Sequence, residues 1–221
     1  MQPTGRPAPQ YLAPPAPAGT STIAWTVLAL IAALVASLGS AALSLDLPPV
    51  TIGDQQVTLT RNLKACPLCF YQRTFAFGTL GVLFIGLLTK ARRTGAIGVI
   101  ALPLAIAGVG IAGWHAWLEY DGKLECPKGL LEIGTAPQQS LAALGILTLL
   151  LLADSVRNTA GESYGVPTVL MALILGGAMA FGCIKTMPPV ATPPKEAYEK
   201  PPDGCRPANP YVKEEQAPPG S

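Results

Sequence analysis

Hydrophobic residues in this chain come in long blocks separated by short polar stretches, rather than in the one-sided stripes of a soluble domain. The blocks run from Ile23 to Leu47, Pro67 to Thr89, about Ala96 to Leu118, Ser140 to Ala153 and Val166 to Ile184. A helix crossing a bilayer needs about 17 to 25 apolar residues. Four blocks meet that directly, and the fourth in order reaches about 17 residues when it is begun at Pro137. Pro67 at the head of the second block is compatible with a helix start, because the missing N–H would be unpaired there anyway. The pattern predicts an all-α membrane protein, a four-helix transmembrane bundle plus a fifth transmembrane helix, with disordered N- and C-terminal tails.

The polar stretches divide the chain further. Residues 1–21 are rich in Pro and Ala and carry only Arg6, which predicts a disordered tail. The first block is longer than the apolar core of a secretory signal, about 7 to 15 residues, so a retained helix is expected. Residues 22–154 form the four-helix domain and 155–184 a connection with the extra helix. Residues 185–221 form a Pro-rich extracytoplasmic tail with little to bury. Between the first two blocks, "LPPVTIGDQQVTLT" alternates Val and Thr and predicts a short extended segment. Small residues at Gly108, Ala112 and Ala116, and at Gly176 and Ala180, suit close helix packing.

Composition agrees, with 50% hydrophobic and 13% charged residues, against about 25% charged in a soluble domain. A net charge of +2 gives no reason to expect a nucleic-acid partner. The placement of charge is more informative. Lys90, Arg92 and Arg93 crowd one short loop without an acid, and such loops stay on the cytoplasmic side. The N-terminus is then inside, and with five spans all five cysteines lie on or near the outer, oxidising face. The connection before the last span, with Arg157 against Asp154 and Glu162, adds little to this choice. An odd number of cysteines allows at most two disulfides.

The stretch "KACPLCFYQRTFAF" carries the chemistry. Cys66 and Cys69 are spaced to close a disulfide across one helical turn. At a helix N-terminus, unpaired N–H groups and the macrodipole favour the thiolate, the nucleophilic form. Arg73, four residues after Cys69, shares its helix face. An arginine deep in a span costs about 2.5 to 3.5 kcal/mol, a cost lowered here by snorkelling toward the nearby surface. Its charge would stabilise a Cys69 thiolate or an anion on a bound acceptor. The competing readings of the pair are a stapled helix end and half of a metal site completed by Cys126 and His115. The spacing matches no standard zinc finger, and no metal is expected. Phe70 in place of a histidine argues against haem attachment.

"CPLCFYQR" at the head of an aromatic, glycine-bearing span resembles the disulfide bond formation protein B (DsbB) family of quinone-linked membrane oxidases. "GWHAWLEYDGKLECPKGL" resembles the end of that family's third span and the first cysteine of its second pair. The resemblance runs from about residue 23 to 153. It implies a redox-active enzyme of the bacterial inner membrane that reoxidises a soluble, thioredoxin-like dithiol protein. Its electrons would pass to ubiquinone or menaquinone. It further implies that quinone regenerates the Cys66–Cys69 disulfide, with Cys69 reacting at the quinone and Arg73 beside a quinone oxygen. His115 would hydrogen-bond the quinone, although a lone interfacial histidine is more often simply solvated. Cys126 would take electrons from the soluble partner. The family's second loop holds two cysteines, whereas "GLLEIGTAPQQS" after Cys126 holds none. The missing partner is expected to be Cys205 from the extension, with a Cys183–Cys205 bridge as the competitor. Two other functions stay open. One is a quinone or epoxide reductase similar to the vitamin K epoxide reductase group, and the other is a non-enzymatic, disulfide-stapled membrane scaffold.

Overall fold

The structure is a computed structural model and describes residues 20–42, 44, 50–52, 55–57, 64–89, 96–130, 133–159, 166–194, 198 and 202–209. The N-terminal tail up to residue 19 and the basic loop with Lys90, Arg92 and Arg93 lie outside the described residues. Among them are five helices, α1 (Thr20–Ala42), α2 (Pro67–Leu88), α3 (Ala96–Tyr120), α4 (Ala136–Thr159) and α5 (Val166–Thr186). Each contains a stretch long and apolar enough to cross a membrane, and the chain is a multi-pass membrane protein.

Helix α3 is the central element and the most buried of the five, packing against α2, α4 and α5. Helix α1 completes the bundle against α2 and α4. The outer faces carry exposed large apolar side chains such as Val35, Phe84, Ile85 and Leu173, which suit contact with lipid. Trp117 and Tyr120 are exposed at the last turn of α3, where amphipathic rings mark the membrane–water interface. Within the spans, Thr79, Thr148 and Ser155 donate to the carbonyls of Phe75, Leu144 and Leu151 four residues back, at 2.7 to 2.8 Å. Hydrocarbon leaves such hydroxyls no water to bond.

Glycines set the approach of α5 to α3. A Cβ built on Gly176 would lie 2.7 Å from both the Pro103 carbonyl oxygen and the Ile106 Cβ, and one on Gly110 would lie 2.9 Å from the Ala180 Cβ. Gly176→Leu is therefore expected to push α5 away, costing about 1 to 3 kcal/mol or more by overpacking. A lower Tm in detergent with faster alkylation of Cys183 is the expected reading; an unchanged Tm and alkylation rate would contradict the contact.

Two sequence expectations need correction here. Helix α4 does not end at Ala153 but continues to Thr159, with Asp154 and Ser155 buried. Their polar groups are satisfied inside the bundle, since Thr26 on α1 donates to the Asp154 carboxylate at 3.3 and 3.4 Å and Ser155 bonds its own helix. Part of the C-terminal tail is also ordered by partners. Strand β4 (Arg206–Pro207) pairs antiparallel with β3 (Leu124–Glu125), placing Glu125 opposite Arg206. The other strand pair, β1 (Val50–Ile52) with β2 (Gln55–Val57), falls in the segment whose alternation predicts extended structure.

Candidate redox site at the mouth of the second helix

The four residues "CPLC" build a helix start. Cys66 precedes a proline, which disfavours helical backbone, and it adopts φ −72° and ψ 162° as the N-cap of α2. Pro67 occupies the first helical turn. The Cys66 Sγ accepts the backbone N–H of Cys69 at 3.2 Å, the place usually taken by a serine or aspartate oxygen. Capping brings the two sulfurs together, with Sγ to Sγ at 2.7 Å. A small closing movement reaches the S–S bond length of about 2.05 Å. The hydrogen bond to Cys69, and then burial, push the Cys66 thiol well above its ordinary value.

Above this pair lies the second one. Cys126, which follows β3, is disulfide-bonded to Cys205, 79 residues later. Several contacts hold the tail segment that delivers Cys205. The Lys64 N–H donates to the Asp203 carbonyl at 2.7 Å, and the Ala208 N–H donates to the Lys123 carbonyl at 3.1 Å. Lys64 pairs with the Asp203 carboxylate, and Arg206 with Glu125 while stacking on Tyr198. Gly204 passes so close to Lys64 that a Cβ there would lie 2.8 Å from its carbonyl oxygen. Cys183, on α5, is free and half-buried.

His115 joins the two pairs. It is fully buried on α3, with Nε2 at 3.5 Å from the Cys126 Sγ and 3.9 Å from the Cys66 Sγ. The Gln72 amide nitrogen bonds its Nδ1 at 3.2 Å. An amide N–H donating to Nδ1 leaves the ring proton on Nε2, facing the sulfurs. Gln72, one turn below Cys69 and itself buried, is the residue that fixes this orientation. The sequence shows it only as a letter within "YQR".

The two sulfurs of the inner pair face different spaces. Cys69, Gln72 and Arg73 line a cavity of about 250 Å³ between α1, α2 and α4, walled by apolar groups such as Val35, Ala76 and Leu144. Cys66 instead lines a groove of about 170 Å³ with Leu124, Met187 and Pro207. Cys205 lines both. The Arg73 Nε donates to the Ser40 Oγ on α1 at 2.9 Å, which aims the guanidinium across the cavity. Gln139 shapes the far wall by bonding the Leu130 and Ile133 carbonyls at 2.8 and 2.7 Å. His115 does not line this cavity, because its ring points up at the sulfurs. Ser40 and Gln139 carry no signal in the sequence, since single polar residues near helix ends are common.

Donor atoms of Cys66, Cys69, His115 and Cys205 all lie within 4.8 Å of one another, a donor set of the kind zinc accepts. With Cys205 in a disulfide it offers no thiolate, and in this state the geometry is one of adjacent exchangeable sulfurs. The cavity fits a flat organic ring with polar edges. Its walls are largely apolar, and Arg73 and Gln72 line it beside the Cys69 sulfur.

The sequence profile of the family described as "Disulfide bond formation protein DsbB" matches residues 56–187, more than half of the chain. The match begins after α1 and includes α5, so it extends beyond the stretch 23–153 that the motifs suggest, and it stops short of Cys205. Disulfide bond formation protein B of Herminiimonas arsenicoxydans is 33% identical over 101 residues, 44% of this chain and 60% of the relative. That of Xanthomonas campestris pv. campestris strain 8004 is 45% identical over 71 residues, 30% and 41% of the two chains. The "Probable disulfide formation protein" of Chlamydia trachomatis serovar D is 35% identical over 107 residues, 43% of this chain and 77% of the relative. The chain thus spans 60% and 41% of the length of the first two relatives. No solved structure matches. Together with the Cys-capped helix, the apolar spans and the profile match across α2 to α5, this makes the chain a member of the DsbB family.

Proposed function

We propose that this chain is a membrane thiol–disulfide oxidoreductase that reoxidises a soluble, thioredoxin-like dithiol protein and passes the electrons to a membrane quinone. One observation carries the reading. Two cysteine pairs abut one histidine, and the inner pair opens through Cys69 onto an apolar cavity that also holds Arg73. A bound quinone, ubiquinone or menaquinone, supplies a lipid-soluble acceptor for two electrons and two protons.

The chain's own residues do the rest. The Cys126–Cys205 disulfide is the oxidant offered to the partner, and thiol–disulfide exchange carries the reducing equivalents to Cys66 and Cys69. Cys66 faces the groove, and Cys69 turns its sulfur to the cavity. Arg73, steadied by Ser40, places a fixed positive charge where negative charge develops, which low-dielectric surroundings make more effective. Gln72 holds the His115 Nε2–H toward the sulfurs. The positive loop at Lys90 to Arg93 supports placement in the bacterial inner membrane with the cysteines on the periplasmic side.

The test is reconstitution in quinone-containing proteoliposomes with a reduced thioredoxin-fold protein, following quinone absorbance and free thiol together. Wild type is expected to turn over only with quinone present. Arg73→Ala is expected to lower kcat/KM for quinone by about 10²-fold, as for other lost oxyanion partners. Oxidation at equal rate without quinone would overturn the reading.

A further inference from the structure

We infer that the fully reduced chain binds a zinc ion at the mouth of the bundle, through Cys66, Cys69, Cys205 and His115. The ligating atoms of these four residues lie within 4.8 Å of one another. Three thiolates and one imidazole are a complete tetrahedral set for a closed zinc site. Cys66 and Cys69 have the two-residue spacing of a zinc half-site, and the fold brings the other ligands from α3 and from the tail.

The distances suit the ion. Tetrahedral ligation places neighbouring zinc-bound sulfurs about 3.8 Å apart, and a sulfur and a ring nitrogen about 3.5 Å apart. The Cys66 Sγ already stands 3.9 Å from the His115 Nε2. The Cys66 and Cys69 sulfurs, at 2.7 Å, have to part by about 1 Å, in the opposite sense to disulfide closure. His115 ligates through a neutral Nε2, so its proton moves to Nδ1. Gln72, 3.2 Å from Nδ1, carries a donor and an acceptor on one amide. Turned over, it accepts the Nδ1–H through its oxygen, the outer support that zinc-bound histidines use. An ion with three thiolates carries a net negative charge. That charge falls at the N-terminus of α2 and beside Arg73, which lines the cavity with Cys69 and Cys205. Cys66 and Cys205 both line the groove, which gives the ion a way in.

Redox state gates the site. In the oxidised chain Cys205 is bonded to Cys126 and offers no thiolate. A dithiol, becoming a disulfide, gives two electrons and two protons to the Cys126–Cys205 bond, and a second does the same for Cys66–Cys69. Zinc then displaces the protons of Cys66, Cys69 and Cys205 to solvent, and Cys126 stays a thiol. Bound zinc holds sulfurs that the oxidase reading employs, so it is expected to inhibit turnover. The inhibition rests on that reading, whereas the binding does not.

The experiment uses the full chain in quinone-free nanodiscs, reduced with dithiothreitol and freed of it without oxygen. Co²⁺ is the spectroscopic probe and Zn²⁺ the competitor. One Co²⁺ per reduced chain is expected, with the sulfur-to-metal charge-transfer and visible bands of tetrahedral thiolate ligation, erased by Zn²⁺. The oxidised chain is expected to show none of these bands. Cys205→Ser and His115→Ala are each expected to weaken Zn²⁺ binding by about 10²-fold or more, at least what a lost supporting contact costs. Cys126→Ser removes the same outer disulfide and is expected to bind as wild type does, which separates lost ligation from a loosened tail. Absence of bands in the reduced chain, equal bands in the oxidised chain, or equal weakening by Cys126→Ser and Cys205→Ser overturns the site and leaves the oxidase reading standing. Failure of the quinone assay with the bands intact overturns that reading and leaves the site.

Discussion

Serine in place of Cys205 is expected to slow oxidation of a thioredoxin-fold dithiol protein by about 10³-fold or more, as when a member of a cooperating catalytic set is lost. Quinone reduction driven by dithiothreitol is expected to survive in the same variant. The effect is large because Cys205 supplies both the oxidant and the tether. The Lys64–Asp203 ion pair has side chains 82% and 66% exposed, and such surface pairs contribute about 0 to 1 kcal/mol. A disulfide closing a separation of 79 residues contributes about 4.5 kcal/mol in the chain-entropy account. With the disulfide gone, a few surface contacts remain to oppose the freedom of a proline-rich tail. The inner pair, seated on α2, loses none of its own support. Small dithiols still reach Cys66 through the groove, where it is a lining residue. The measurement is thiol loss against quinone loss, with each reductant in turn. Full activity toward the protein dithiol would show that Cys126 acts without Cys205.

Cys69→Ser is expected to remove electron transfer from both reductants, again by about 10³-fold or more. Cys69 is the member of the inner pair that lines the cavity with Arg73, and Cys66 lines the groove instead. A hydroxyl at position 69 keeps the helix start intact, because the N-cap bond runs from the Cys69 backbone N–H to Cys66. Loss of activity would therefore report missing chemistry rather than a melted helix. The check is quinone reduction with dithiothreitol, alongside Tm to establish that the fold persists. Retained quinone reduction would move the acceptor site away from this cavity. Taken as a pair, the two variants separate the entry of electrons from their exit.

Local features of the site are legible in the order of residues alone. The helix start at Pro67 and the one-turn spacing of Cys66 and Cys69 follow from neighbouring residues, and the structure adds that the Cys66 sulfur caps the turn. The four-residue step to Arg73 puts it on the same face by helix geometry. His115 is visible as a titratable residue near the end of a span, and the family resemblance turns it toward quinone. In the structure its ring lies beside the sulfurs of Cys66 and Cys126. A periodicity gives the face a residue occupies but not which neighbour comes to meet it, and here the neighbours arrive from α2 and from the loop after α3. The end of α4 escapes the hydrophobic pattern for a related reason. Asp154 looks like the end of an apolar run until Thr26, 128 residues away in sequence, is seen to bond it.

Contiguous residues were enough to specify the five apolar spans, the start of α2 at Pro67 and the placement of Arg73, because bilayer thickness and helix geometry act on neighbours in the chain. Folding in three dimensions was needed to bond Cys126 to Cys205, to dock the tail on Lys64 and β3, and to stand His115 between the pairs. Those contacts join residues far apart in the chain, where spacing carries no information and proximity is set by how the helices pack.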